Sequence, residues 1–598
     1  MPKGRSSAEL AKIFFEFSYY DAMNGVPFKP RAFQLASETM TALGPDVEAT
    51  WRRGGIKALK ELPGIGQAIS EKIDEYFRTG KVKEYETMKK RFPVDIWGLA
   101  QIEGLGPKKI DVLYRKLKVR NVKDLERALK TKKIRSLPGF GEQSEERLSR
   151  GFGLMQKASG RHLLADGLPV ADRIVAALSN VPGVKRCSYA GSLRRRQETI
   201  GDIDLIATLA HSTMTAAGTK DAQRIMDAFV ALPDVLSVHE RGKTRASVRL
   251  TNGIDADLRV VPDVVYGATL QYFTGDKRHN VLLRELALSK GLTLNEYGLF
   301  RIGRGVAKET KHPHGKMLAC RAEEDVYRAL GMDTPPPEIR VGRDEIDAAR
   351  RHALPSLLPY HSVRGDLQVQ TEWTDGSASI EAMANAAKKR GLEYIAITDH
   401  TQALGFIHGL DEKGVAKQGK KIDALNKKMK GFRILKGTEC DIHADGTLDL
   451  SGATLKSLDW VGVSVHSAFR LSRAAQTARV IKAISNPHVD CLFHPTARRI
   501  GKREPIDLDM DAVIAAAKKY HVALEIDAAP ERSDLNDLHV RMAVDAGVMM
   551  TIDSDAHAPE HFDWLPLGEA IARRGWAGKK NILNTRSWKE VLAWTGKK

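Results

Sequence analysis

Apolar and polar residues follow two different periods along this 598-residue chain. In the front part, segments such as AISEKIDEYF (68–77) space apolar residues three and four apart, the period of a helix with one buried face. Near the middle, Asp202-Ile203-Asp204-Leu205-Ile206 and Ile254-Asp255-Ala256-Asp257-Leu258-Arg259-Val260-Val261 read as strands. A period of two puts the paired carboxylates of each on one face. In the back part, apolar runs such as YIAIT, VGVSV and VALEI are each followed by His, Asp or Glu, and they alternate with helical stretches such as IEAMANAAKKR. That rhythm predicts an α/β barrel with its chemistry at the strand C-termini. Between middle and back, residues 331–361 contain Pro335–Pro337, which cannot be interior to a helix or a central strand, and one helix-like piece, Arg343–His352. This segment reads as an ordered linker.

A chain of this length predicts about three to five domains. With 42% hydrophobic and 28% charged residues, it can bury ample core, which excludes disorder as its main theme. Four cysteines, Cys187, Cys320, Cys440 and Cys491, lie far apart with no C-x-x-C pair. That excludes a disulfide scaffold and a cysteine-rich zinc module, and it fits a reducing compartment. No apolar run approaches the roughly 20 residues needed to cross a bilayer. The N-terminal stretch is too polar for a signal peptide. The expectation is a cytoplasmic protein with no membrane partner.

The formal net charge of +19 favours a polyanionic partner, usually nucleic acid. Residues 1–150 carry a net +10, residues 361–598 only +3, whereas 11 of the 18 histidines fall at or after His361. A basic front and a histidine-rich back point to two different jobs.

In the front, LPGIG (62–66), IEGLG (102–106) and LPGFG (137–141) each lie at or near the start of a helical segment. Their glycines, Gly64 and Gly66, Gly104 and Gly106, Gly139 and Gly141, suit tight turns between helices, with free amides facing phosphate oxygens. The elements resemble helix-hairpin-helix DNA-backbone binders. Lys72, six residues after Gly66, is placed where a Schiff base with an abasic sugar could form if its amine were neutral.

In the middle, Gly191-Ser192 followed by Arg194–Arg196 offers amides, a hydroxyl and guanidinium groups suited to a triphosphate. Asp202 and Asp204, on one strand face, suit Mg²⁺. A third carboxylate would come from the later strand, where spacing leaves Asp255 and Asp257 as equal alternatives. In the back, Asp375, His400, Glu439, His466, His494, Asp555 and His557 stand at or just beyond the ends of apolar runs. Imidazole with carboxylate suits Zn²⁺, Mn²⁺ or Fe²⁺.

G-S-x-R-R followed by G-D-I-D-L resembles the nucleotidyltransferase signature of family X DNA polymerases, the polymerase beta-like group. YFTGDKRHNVLLRELALSKGLTLNEYGLF (272–300) is similar to the stretch where that family holds the incoming nucleotide, and the likeness runs from about Ser7 to Leu330. The order RGDLQVQTEWTDG, YIAITDH, GTEC, DWVGVSVHS, CLFHP, TIDSDAH resembles the polymerase-and-histidinol-phosphatase (PHP) domain fused behind the polymerase in bacterial members.

The resemblance implies a multidomain fold. Its parts are an N-terminal helical helix-hairpin-helix region, an α+β nucleotidyltransferase palm with thumb and fingers, and a C-terminal α/β PHP barrel of seven distorted strands. The expected division is 1–90 (helical DNA-binding), 91–155 (helix-hairpin-helix fingers-like), 156–262 (palm), 263–332 (thumb-like nucleotide selection), 333–361 (linker) and 362–598 (PHP). It implies Asp202, Asp204 and Asp257 as Mg²⁺ ligands, and Arg161, Gly191, Ser192 and Arg195 at the triphosphate. Tyr272, Phe273 and Gly275 would line the sugar pocket, and Asn280 and Arg284 would reach the nascent pair and the template. It also implies template-directed synthesis from dNTPs on gapped or primer–template DNA in base excision repair, by a monomer, together with a 3′–5′ exonuclease activity of the PHP domain. Lys72 matches the family's lyase lysine, but the companion lysine one turn earlier is Ala68 here, which weakens a lyase role.

The family opens its PHP domain with D-L-H-x-H, whereas this chain reads Asp366-Leu367-Gln368-Val369-Gln370. The resemblance assigns those two positions, with Glu439 and Asp555, to one of three metals. The other two would be held by Asp375/His400/His557 and Glu439/His466/His494. Glutamine is a poorer ligand than imidazole, so two metals are expected to bind firmly and the third weakly or not at all. The alternatives are a PHP domain impaired by Gln368 and Gln370 that serves as a structural or DNA-binding module, or a chain acting mainly as a Mn²⁺-dependent nuclease.

Overall fold

The three glycine elements close by the same turn. In the computed structural model, Ile65, Leu105 and Phe140 donate their N–H groups to the carbonyls of Leu62, Ile102 and Leu137 at 3.2, 3.1 and 3.0 Å. The first glycine of each, Gly64, Gly104 and Gly139, has φ of 71°, 89° and 77°, a region that side-chain-bearing residues rarely enter. Gly66 and Gly106 cap helices Gln67–Thr79 and Pro107–Leu117, and Gly141 directly precedes helix Glu142–Ala158. The structure describes residues 7–43, 46–62, 64–100, 102, 104–158, 160–209, 215–302, 317–403 and 409–596, so Pro63 and Glu103 of two elements lie outside the described residues.

Helix Ser7–Met23 is apolar on two faces and serves two cores. Phe14 and Phe17 enter one with Phe33, Ile73 and Phe77. Phe15 and Tyr19 pack on the other, which is built around Ile110, Leu113, Leu125 and Leu148.

The middle of the chain forms a five-stranded sheet of β1 (Val184–Tyr189), β2 (Asp202–Leu209), β3 (Val235–Arg241), β4 (Arg245–Leu250) and β5 (Asp255–Pro262). The spatial order is β1-β2-β5-β4-β3, with β2 and β5 parallel and their neighbours antiparallel. Alternation along β2 explains its placement. Ile203, Leu205, Ala207 and Leu209 pack with Ile174, Ile225 and Phe229 of the covering helices. Ile206 points the other way, into a small cluster with Leu270 of helix Tyr266–Thr274. Asp202 and Asp204 share that second face, so the carboxylates and the 266–274 helix stand on one side of the sheet.

Beyond this helix, Lys277–Ser289, Glu323–Ala329 and the antiparallel strands Leu292–Asn295, Gly298–Arg301 and Met317–Ala319 surround a core containing Leu283, Leu299, Val326 and Tyr327. The linker is held from both sides. Glu345 accepts from the backbone of Gly342 at 2.6 Å and lies 2.8 Å from buried His279. Glu338 accepts from Arg573 and Tyr360 at 2.9 Å each, and Glu569 accepts from the amides of His361, Ser362 and Val363.

The back forms a sheet of seven parallel strands in chain order, β6 (Gly365–Val369), β7 (Tyr394–Ile397), β8 (Arg433–Asp441), β9 (Trp460–Ser464), β10 (Cys491–Leu492), β11 (Ala523–Asp527) and β12 (Met550–Asp553). Gln370 N–H donates to Ala556 O at 2.8 Å and Ala556 N–H to Gln368 O at 3.2 Å, which nearly closes the barrel. Among the described residues no helix is long and apolar enough to cross a membrane.

Candidate active sites

The parallel register of β2 and β5 sets Asp202 opposite Asp255 and Asp204 opposite Asp257. Spacing alone leaves Asp255 and Asp257 equivalent, and their neighbours separate them. Asp255 is engaged by Arg249, with Nε 2.6 Å from Oδ1 and Nη2 3.0 Å from Oδ2, and by His239 at 3.3 Å. Asp257 meets Arg245 only at 3.9 Å; the buried Oδ1 of each aspartate lacks a hydrogen bond, so the ion pairs are what separate them. Oxygens of Asp202, Asp204 and Asp257 lie within 4.8 Å of one another. Burial, with added like charge from Asp202 and Asp257, pushes the Asp204 carboxyl up to about 7. Burial and the carboxylates of Asp257 and Asp255 raise Asp202 as well. Three crowded carboxylates with an unpartnered oxygen fit a hard divalent cation.

The turn between β1 and β2 faces this cluster. Gly191 has φ 60°, and a Cβ there would collide with the Asp204 carboxylate, so only glycine fits. Ser192, partly buried, follows in the same short helical turn. The three arginines of the turn divide their tasks. Arg194 makes a two-pronged pair with Glu323 at 2.9 and 2.8 Å, and Arg196 binds the Tyr189 hydroxyl at 2.9 Å. Both are committed to protein partners, which narrows the sequence expectation of a whole guanidinium cluster for the triphosphate. Arg195 alone remains beside the carboxylates. Its Nη1 donates to Thr274 O, its buried Nε has no partner, and burial lowers its pKa while Asp276 and Asp204 oppose that. Arg161 is exposed and bonds Thr199 through Nε at 2.8 Å and Nη2 at 2.6 Å.

Tyr272 and Phe273 meet edge to face at 5.2 Å, and Arg259 stacks 4.5 Å from the Phe273 ring. Gly275 ends their helix with φ 67°. Asn280 donates to Tyr272 O at 2.7 Å and accepts from Gln271 at 2.8 Å, so it fixes the aromatic turn. Arg284, one turn further, is exposed and contacts Asn280 O at 3.3 Å.

In the barrel, the strand ends converge. Asp375, His400 and His557 form one group of ligand atoms and His400, Glu439 and His466 another, each within 4.8 Å. His494 Nε2 and His466 Nε2 lie 2.8 and 3.2 Å from Glu439 Oε1, and His557 Nε2 and His400 Nε2 lie 3.3 and 3.6 Å from Asp375 Oδ2. The buried Nδ1 atoms of His400 and His494 have no hydrogen-bond partner. Against the effect of burial, Asp441 and Glu439 hold His466 up at about 9, whereas burial and nearby Arg532 push His494 down to about 4. Nitrogen and carboxylate donors in two adjoining groups fit two transition-metal ions. Asp555 stands beside them, paired with Arg532 at 3.1 Å. Sequence reasoning missed Arg532, which follows the PE dipeptide in a loop and ends no apolar run.

The hairpin glycines Gly66, Gly106, Gly139 and Gly141 have open space where a Cβ would sit, leaving their backbone approachable. Lys72 is half-buried and paired with Glu84, a partner that ties up the amine a Schiff base requires.

Comparison with known proteins agrees with this layout. Family models match residues 6–82 (helix-hairpin-helix domain), 98–152 (SAM-like helix-hairpin-helix tandem), 269–341 (DNA polymerase beta thumb) and 366–529 (PHP domain). The DNA polymerase/3′-5′ exonuclease PolX of Bacillus subtilis (strain 168) is 35% identical over 577 residues, covering 96% of each chain. A probable phosphatase of Thermoanaerobacter sp. (strain X514) is 34% identical over 191 residues, 30% of this chain and 73% of its own. A probable phosphatase of Caldicellulosiruptor bescii is 30% identical over 189 residues, again 30% of this chain and 73% of its own. The likeness to PolX spans nearly the whole chain, from the hairpins through the palm and thumb to the barrel, and this protein belongs to the family X DNA polymerases that carry a C-terminal PHP domain.

Proposed function

We propose that the chain extends a primer 3′-hydroxyl by template-directed attack on a dNTP α-phosphate, filling gaps in damaged DNA. Divalent-metal dependence and DNA binding follow from its family. The observation that carries the palm reading is the in-register pair of Asp204 and Asp257, with Asp202 beside it and the Gly191 turn facing it. Those three carboxylates would hold Mg²⁺, which supplies charge neutralisation at the attacking and leaving oxygens. Arg195 and the amides after Gly191 hold the triphosphate, with Arg161 at its edge. Asn280 keeps the Tyr272–Phe273 turn in place against the sugar, and Arg284 extends toward the template. The hairpin amides hold backbone phosphates without reading sequence. Lys72, paired with Glu84 and lacking a second lysine at Ala68, serves the fold of its helix pair rather than a lyase reaction.

A second activity is supported by the barrel. Asp375, His400, Glu439, His466, His494 and His557 would hold Mn²⁺, Zn²⁺ or Fe²⁺, whose chemistry is to activate water for phosphoester hydrolysis at a DNA 3′ end. We infer that the chain works as a monomer. Separate apolar clusters support the divisions at 90, 155 and 262, whereas Ile346 and Ala349 of the 333–361 linker join the core of the preceding segment and Leu358 joins that of the barrel. The experiment for the palm is primer extension with Mg²⁺. Asp204→Ala should lose at least about 100-fold in rate while binding primer–template as the wild type does. Retained extension would refute the assignment.

A further inference from the structure

The corner of the barrel bounded by Gln368, Gln370, Glu439 and Asp555 is where the family pattern calls for a third metal ion, and its side chains do not fit one. Gln370 Nε2 donates to Glu439 Oε2 at 2.8 Å, and Gln368 Nε2 donates to the same oxygen at 3.2 Å. Both amides therefore present N–H rather than oxygen to the carboxylate that would bridge to the ion. Reversing either amide would set its oxygen against Glu439, so the carboxylate itself dictates the orientation. Glu439 Oε2 thus accepts from two neutral donors.

The opposite side of the corner is also filled. Arg532 enters from the loop after β11 and lies with Nε 3.1 Å from Asp555 Oδ2 and 3.3 Å from Asp527 Oδ2. Its side chain is 19% exposed, and the two acids are almost fully buried, at 6% and 0%. The acids around this end of the barrel include Glu439, Glu525, Asp527, Asp553 and Asp555, all buried. Such a cluster needs positive charge to stay ionised and folded together. Arg532 supplies it permanently, through a guanidinium that does not deprotonate in proteins.

We propose that Arg532 is a built-in cation standing in for the third metal, so that the PHP centre of this chain is a two-ion site completed by an arginine. The two glutamines and the arginine act on the same corner: the amides donate to Glu439, and the guanidinium pairs with Asp555. Histidines at 368 and 370 would not by themselves restore the third site, because Arg532 would still occupy the Asp555 oxygen and repel a divalent ion. The inference rests on reading the barrel as a metal centre, and the test separates the two claims.

The full chain, carrying Asp204→Asn so that the palm carboxylates do not contribute, is loaded with Mn²⁺, freed of excess ion by gel filtration and assayed for metal by mass spectrometry. Two ions per chain are expected. Gln368→His with Gln370→His should still retain two, and adding Arg532→Ser to that pair should raise the count to three. Three ions with Arg532 in place, in either background, would overturn the role of Arg532 and leave the metal centre standing. No retained ion in the otherwise native barrel would overturn the metal-centre reading and the inference with it. The count on the chain with residues 368, 370 and 532 unaltered needs no change in the barrel, so the proposal stays open to refutation even if the triple variant does not fold.

Discussion

Arg498 of the barrel grips Glu198 of the palm with both arms of its guanidinium, Nη1 and Nη2 lying 3.2 and 2.6 Å from the two carboxylate oxygens. The same guanidinium donates to Ser533 O, and Arg574 donates to Arg196 O in the adjoining turn. Glu198 lies three residues after Arg195, so the barrel directly braces the loop proposed to hold the triphosphate.

Loss of that brace should show in nucleotide binding. Arg498→Met removes hydrogen bonds between charged groups worth about 1–3 kcal/mol. The expected result is a KM for dNTP raised about 5-fold or more, with kcat nearly unchanged. Steady-state single-nucleotide insertion measures both, and an unchanged KM would show that the barrel does not support the loop.

The acids of β5 should behave oppositely. Asp257→Asn should cost about 100-fold or more in extension rate, because Asp257 completes the carboxylate group. Asp255→Asn, whose carboxylate serves Arg249, should keep extension within a few-fold and reduce stability by about 1–3 kcal/mol. Extension rates and urea unfolding of both variants check this, and a reversed order would reassign the third carboxylate.

Acid should weaken the junction between turn, thumb and linker. Burial pushes the Glu323 carboxyl up, but Arg340 and Arg194 outweigh it and hold it down at about 2, against an ordinary 4.5. The unfolded chain therefore takes up this proton first. The stabilisation is full above pH 4.5 and is lost as pH falls toward 2, by roughly 2–4 kcal/mol. Urea unfolding between pH 5 and pH 3 should show that loss. Glu323→Gln should be less stable at pH 7, with two arginines left unpaired, and should show a shallower acid slope.

Much of this architecture is readable in the chain because its signals are local. The period of two in β2 requires Asp202 and Asp204 to share a face, and the glycine elements prescribe their own turns. The strand-end histidines converge because a parallel barrel gathers strand C-termini. What stays hidden depends on partners distant in sequence. Arg249 engages Asp255 through a side-chain pair across neighbouring strands, and Arg194 is drawn away from the turn by Glu323, more than a hundred residues later. Arg532 carries no pattern at all, since a loop arginine looks like any solvated charge until Asp527 and Asp555 are placed around it.

The central claim is that one chain carries two independent metal-dependent activities, one in the middle of its sequence and one in the back. The most direct measurement follows a 5′-labelled primer–template with Mn²⁺, with and without dNTPs, for the wild type, Asp202→Ala, and His400→Ala with His557→Ala. The wild type should lengthen the primer with dNTPs and shorten it without them. Asp202→Ala should only shorten it, and the histidine variant should only lengthen it. Both activities vanishing together in either variant, or no shortening by the wild type, would contradict the account.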